Sequence, residues 1–433
     1  MVNSLQEFWR PILDIFDPFS YLWGDQIDSL FVERPDSPYL RIQNMLISNL
    51  PQKILVTGQT GCGKTSEMAK LARETEKDFF VIWLDVRRSL DMFNVSHVEV
   101  IFAIGAAVYY VAREKGIKVS EGLINSLVES LSTVVREVTR KDDFKLDAGT
   151  ILKNLATGIL TVVGVPIVSL EPFSAPFSLG LGETTVSRQE IKPKISEILK
   201  QVNEIIDETR RKTKKSLLLI VDGLDRIEID QAKLIFAQSH LLTQLSGHVI
   251  FTAPALLYYS PYLQTARSLF KSIEFPNVKL WEKNNKSKGL CEEGKEIMLK
   301  VIRKRLSYTH PNCAMDQIIV PDAAKLLVEM SGGVMRELIQ LFHEATLTAL
   351  LHKSQRIDSG IAEKAIFAVR RKYAAGLREP STQVEALRKV SSSHNIPESD
   401  VGDQLLQNLY VLSYINDDIW YDVHPIVKPL ISK

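Results

Sequence analysis

At 433 residues, with 45% hydrophobic and 24% charged residues, the chain has the composition of an ordinary globular protein and the length of two or three domains. Its net charge of +1 gives no global attraction to nucleic acid or an anionic membrane. Three cysteines, Cys62, Cys291 and Cys313, lack metal-ligand spacing and build no disulfide framework, which fits a reducing, cytoplasmic setting.

The first fifty residues form a lead-in segment. Its acids Glu7, Asp14 and Asp17, set among aromatics, do not follow the basic-then-apolar order of a secretory signal. An amphipathic stretch, 39–50, precedes the short apolar run Ile54-Leu55-Val56, read as a strand. Directly after it comes Gly58-Gln59-Thr60-Gly61-Cys62-Gly63-Lys64-Thr65, which fits GxxxxGK[ST], with Ser66 following. A strand, this loop and then a helix make the context of a phosphate-binding loop. Its glycines let successive N–H groups point at phosphate oxygens, and the helix start near Thr65 adds its positive dipole end. Lys64 is expected to reach the β/γ-phosphates and Thr65 to ligate Mg²⁺.

The run 79–86 reads as a second buried strand, followed by helices over 96–115 and 119–138. Residues 139–190 are first charged, then apolar, then rich in Gly, Pro and Ser, as an insertion packed on the main domain would be. Its apolar stretch, 155–170, is shorter than the ~20 residues of a spanning helix and is interrupted by Pro166. A long helix, about 189–212, ends in the basic run Arg210-Arg211-Lys212-Thr213-Lys214-Lys215, read as a solvated helix end rather than a nucleic-acid patch.

The segment 217–222 is an apolar strand that delivers Asp222 at its carboxyl end, where ligands of parallel sheets lie. Asp222 is the candidate Mg²⁺ acid, and Asp225, a turn later, the candidate for orienting the attacking water. A third strand, 248–252, ends in Thr252. The strand–helix alternation predicts a doubly wound α/β P-loop fold. Helical periodicity then governs 292–306, 321–330, 334–351 and 359–373, with Ser331-Gly332-Gly333 as a helix stop and Arg336 in the next first turn. Residues 409–426 read as a hairpin turning at Asn416-Asp417-Asp418. The expected domains are a lead-in at 1–50, an ATPase core at 51–280, a helical lid at 281–378 and a small module at 379–433.

The phosphate loop, the LLLIVDGLDR and VIFTAP strands and SGGVMRELIQLF together resemble the bacterial AAA+ superfamily and its signalling relatives, the STAND ATPases. The resemblance implies an AAA+-like fold, an ATP and Mg²⁺ site, a helical lid and a terminal winged helix. FVERPD resembles the segment that contacts adenine and ribose, which puts Arg34 beside the nucleotide. Thr252 matches sensor 1, which feels the γ-phosphate, and Arg336 matches sensor 2 in the lid. A positive charge in a helix's first turn is mildly unfavourable, and a functional role offsets that. Arg267 and Arg226 are competing candidates for an arginine finger.

Where family members have a glutamate after the Walker B acids, this chain has Arg226 after Asp225, which leaves the base open and points to slow turnover. The resemblance implies an ATP-binding, ATP-hydrolysing switch that assembles with itself or with a separate effector protein, in a setting such as antiviral defence or stress signalling. The alternative is a DNA-transaction ATPase of the origin-recognition or transposition-regulator type. Against it, the expected reading helix around 397–409 carries Glu398, Asp400 and Asp403 and no basic residue.

Overall fold

The computed structural model describes residues 2–35, 37–88, 90, 92–93, 95–139, 159–160, 188–283, 290–377, 382–415 and 418–432. It divides into two compact units. One comprises Pro38–Thr57 and Glu67–Glu274; the other comprises Met1–Ser37, Gly58–Ser66 and Phe275–Lys433.

The first unit is a sheet covered by helices. Its strands are β1 (Lys53–Thr57), β2 (Phe79–Asp85), β3 (Ile159–Leu160), β4 (Ser216–Asp222), β5 (His248–Thr252) and β6 (Lys271–Glu274). They lie in the order β3-β2-β4-β5-β1-β6, and all pairings are parallel except that of β3 with β2. Five parallel strands with non-sequential neighbours require crossover connections, and β4 separates β2 from β5 and β1 as in a P-loop fold. In β4 the residues Leu217 to Val221 are all buried, since helices cover both faces of the sheet.

The helix His97–Glu114 is buried along most of its length and packs against Arg188–Thr213. It starts where expected because Ser96 and Glu99 form a reciprocal capping box. Gly105 allows the close approach, since a Cβ there would lie 2.6 Å from Val202 Cγ2. The helix Glu121–Thr139 packs on the same partner. Beyond strand β3 and the helix start at Arg188, the expected insertion 139–190 lies outside the described residues.

The second unit is helical with a terminal hairpin. Helices Glu292–Thr309, Pro321–Met330, Met335–Leu351 and Ser359–Gly376 surround a core that includes Met298, Leu327, Phe342 and Ala365. The lead-in contributes a helix, Val2–Ile15, whose Trp9, Ile12 and following Phe16 are fully buried in this core, with Phe16 stacked on Phe342. The terminal part has helices Thr382–Ser393 and Asp400–Gln407 and an antiparallel hairpin, β7 (Val411–Ile415) and β8 (Ile419–Val423). Of the expected turn, Asn416 and Asp417 lie outside the described residues.

The stop at Ser331-Gly332-Gly333 depends on its glycines. Both have φ in the left-handed region, at 63° and 80°, and a Cβ on Gly333 would fall 1.9 Å from the Val278 carbonyl oxygen. Tyr414 of the hairpin donates its hydroxyl to Gly332 O at 2.7 Å.

Candidate nucleotide site

The phosphate loop, Gly58–Ser66, belongs to the helical unit, and its neighbours there shape it. Gly58, Gly61 and Gly63 have φ of 141°, 87° and 107°, conformations that side chains disfavour. Lys64 begins its helix, one residue ahead of expectation, and is 4% exposed. Its ammonium donates to Gly58 O at 2.7 Å and Gln59 O at 3.2 Å, closing the loop around a buried positive charge. Thr60, Thr65 and Ser66 are half-buried, whereas the Cys62 side chain is buried. A glycine-shaped loop at a helix start that holds a buried ammonium is chemically suited to a triphosphate.

Two contacts join the loop to distant sequence within the same unit. Arg336, second residue of the helix Met335–Leu351, donates its backbone N–H to Gly61 O at 3.1 Å, and a Cβ on Gly61 would lie 2.8 Å from Arg336 Cβ. The helix Met335–Leu351 therefore starts against the loop only because Gly61 has no side chain.

The second contact is Gln59, expected as a nucleotide ligand. Its side chain is 2% exposed and points to the hairpin instead. Nε2 donates to Leu406 O at 3.1 Å and Val411 O at 2.9 Å. Oε1 accepts from Asn277 Nδ2 at 2.7 Å, Ser413 N at 2.9 Å and Ser413 Oγ at 3.2 Å. Two carbonyls on one side and donors on the other fix the amide orientation. Only the Gln59 backbone is left to serve a nucleotide.

Arg34 is buried and donates from Nη1 to Pro276 O at 2.9 Å, which anchors the FVERPD segment to the chain just after β6.

The acid half of the expected site lies on the sheet unit. Asp222 ends β4 and is 1% exposed. Gly223 turns the chain with φ 100°, and its N–H is bound by Thr252 Oγ1 at 2.9 Å. Thr252 thus ties the end of β5 to the turn after Asp222. Asp225 is half-buried in the 3-10 turn Leu224–Arg226, and Arg226 is exposed. Arg267, in Leu263–Leu269, lies over the Tyr258 ring.

Two groups escaped the sequence reading. Asp85 ends β2 in register with Asp222, and Arg87 grips it with two hydrogen bonds of 2.7 and 2.6 Å. An acid closing the apolar run FFVIWLD was the available signal, the same one that marked Asp222. In the helical unit, Glu337, next to Arg336, has Oε2 3.9 Å from His424 Nε2, and neither atom has a hydrogen-bond partner among the described residues.

Burial pushes the Glu337 carboxyl up to about 7, against the opposing pull of the Tyr373 hydroxyl, Arg336 and Lys372. Burial and nearby Lys428 push His424 down to about 3. The raised carboxyl stabilises the fold at pH below its unfolded value near 4.3 and loses that contribution as pH climbs to about 7. The lowered imidazole has the opposite sign, its contribution being lost as pH falls from 6.5 towards about 3. Glu337→Gln removes only the first of these two contributions. Its stability relative to the parent should rise by about 3 kcal/mol between pH 4.5 and 7.5. Calorimetric melting at several pH values checks this; a pH-independent gap would mean that Glu337 does not titrate there.

Among the described residues no group of three or more His, Cys, Asp or Glu could hold a metal ion by itself, and no helix is long and apolar enough to cross a membrane. A metal here would need ligands from the nucleotide as well, as Mg²⁺ in such sites has.

No curated protein matches the sequence. Three solved structures show a distant likeness. The first is the Aeropyrum pernix Orc1 protein in complex with DNA, at 12% identity and TM-score 0.44, covering 97% of this chain and 96% of that one. The second is Cdc6p from Pyrobaculum aerophilum, at 11% identity and TM-score 0.41, covering 96% and 97%. The third is the Thermotoga maritima RuvB Holliday junction branch migration motor, at 14% identity and TM-score 0.38, covering 96% and 99%. At these scores they carry no function across. The chain has a P-loop NTPase fold with five parallel strands in the order β2-β4-β5-β1-β6, and residues 40–251 of it match the KAP family P-loop domain.

Proposed function

We propose that the chain is an ATP-operated, ATP-hydrolysing switch whose nucleotide loop reports to its C-terminal hairpin. The observation that supports this reading is Gln59. A side chain inside the phosphate loop makes all its hydrogen bonds to Asn277, the end of the helix Asp400–Gln407 and strand β7. Changing the loop's order on nucleotide binding therefore changes the order of the hairpin, and such coupling is reciprocal.

In this reading Lys64 and the loop amides hold the phosphates. Thr65 and Asp222 supply protein oxygens to Mg²⁺, which when bound neutralises phosphate charge. Asp225 orients water, Thr252 fixes the turn after Asp222, and Arg336 draws the lid towards the γ-phosphate. Self-assembly or a separate effector protein provides the output.

The test is amide hydrogen exchange over residues 406–423 with and without a slowly hydrolysed ATP analogue. The analogue should slow exchange there about tenfold in the parent chain. In Gln59→Ala, which takes a partner from two carbonyls and three donors, exchange should be fast and indifferent to nucleotide. Tight nucleotide binding with no change over 406–423 in the parent would refute the switch.

The DNA-transaction reading has less support. The helix Asp400–Gln407 carries two acids and no basic residue. In the basic run, Arg210 pairs with Asp207 at 3.3 Å and Lys212 with Glu208 at 2.5 Å, so part of its charge is answered internally.

A further inference from the structure

The helix Met335–Leu351 carries opposite charges on neighbouring residues of its first turn. Arg336 donates its backbone N–H to Gly61 O of the phosphate loop at 3.1 Å, and Glu337 follows it, 5% exposed. The Glu337 carboxyl stands among three elements of the helical unit. Tyr373, of the helix Ser359–Gly376, donates its hydroxyl to it, and Oε2 lies 3.9 Å from Nε2 of His424, the residue after β8. The imidazole is fully buried, and its Nδ1 accepts from Ile426 N at 3.2 Å, which leaves Nε2 as the protonated nitrogen of a neutral ring. His424 O accepts in turn from Val427 N and Lys428 N, so this residue roots the chain that leaves the hairpin.

Other charged and ionisable groups nearby have partners of their own. Lys372 lies 3.4 Å from the Glu344 carboxylate, Tyr410 donates to Tyr373 O, and Lys428 pairs with Asp422 at 2.8 Å. Burial disfavours the Glu337 carboxylate and pushes its titration up to about 7, while the Tyr373 hydroxyl, Arg336 and Lys372 oppose that rise. Of these, Arg336 is the one attached to the loop.

We propose that nucleotide binding at Gly58–Ser66 is coupled to the uptake of a proton by Glu337. The inference rests on reading that loop as the nucleotide site, with Arg336 turned to its phosphates. The step is a plain protonation: a buffer acid gives its proton to a Glu337 carboxylate oxygen, and no other bond forms or breaks. Its basis is charge. Phosphates answer Arg336 and bring net negative charge to within about 10 Å of Glu337, which at an effective dielectric of about 20 raises the carboxyl's titration by about one pH unit. Protonation then removes a buried negative charge beside His424. Occupancy of the loop is thereby felt at the exit of the hairpin, by a route separate from Gln59.

Calorimetric titration of the full chain with a slowly hydrolysed ATP analogue and Mg²⁺, at pH 7.5 in HEPES and again in Tris, counts the protons taken up. The parent should take up about half a proton more per nucleotide than Glu337→Gln, and subtracting the variant cancels the analogue's own protonation. By linkage, affinity should fall about sixfold further in the parent than in the variant between pH 6.5 and 8.5. Thermal melting confirms that the variant is folded. Infrared difference spectroscopy reads the proton in the parent itself, where binding at pH 7.5 should raise the protonated-carboxyl band.

Equal proton counts in parent and variant, release in place of uptake, or an unchanged carboxyl band with nucleotide bound would overturn the coupling and leave the nucleotide site standing. Failure of the analogue to bind the parent would instead refute the nucleotide reading, and the coupling with it.

Discussion

Lys64→Ala should weaken ATP binding by about a hundredfold or more, the equivalent of about 3 kcal/mol for a charge-assisted contact removed from a buried site. The ammonium is not a loose tether waiting for a phosphate. It is 4% exposed and bonded to the carbonyls of Gly58 and Gln59, so it closes the loop as well as supplying charge. Alanine removes both contributions and leaves two carbonyls of the loop short of a donor. Titration calorimetry reads the affinity, and a melting curve verifies that the variant is folded. Parent-like affinity in a folded variant would remove the loop from the nucleotide site altogether.

Asp222→Ala should spare nucleotide binding to within about tenfold and lower Mg²⁺-dependent turnover by about a thousandfold, since a metal ion contributes several kcal/mol of transition-state charge stabilisation. The carboxylate is buried at the end of a strand that is apolar throughout, a place where an unneeded charge would be costly. Steady-state phosphate release against Mg²⁺ concentration separates the two effects. Hydrolysis at the parent rate would show that Asp222 does not hold the metal.

Much of the fold was legible because its signals are local. Strand β5 starts and stops at His248 and Thr252 as read, and the helix Pro321–Met330 runs between a proline at its first position and the left-handed glycines after it. The helix Val2–Ile15 was missed because Trp9 and Ile12 face a core built from residues some three hundred positions later. Gln59 shows the same limit more sharply. Its place in the motif tolerates any residue type, and its partner Ser413 is 354 residues away, so no pattern in the loop could report its role. Asp85 was legible in principle, as an acid ending an apolar strand. Its pairing with Arg87 was not, since a basic residue two positions on usually reads as a solvated turn.

The grouping of Gly58–Ser66 with the residues after Phe275 bears on how the protein can be dissected. The span that matches the KAP family P-loop domain, residues 40–251, holds every residue of the motif and both acids of the strand ends. It leaves out Arg336, Asn277 and Ser413, and so the anchors of Gly61 and Gln59. A fragment cut at those borders would carry an intact signature on a loop deprived of its scaffold. Recognisable motif and folding unit have different borders in this chain, and silence from such a fragment would say nothing about the chain as a whole.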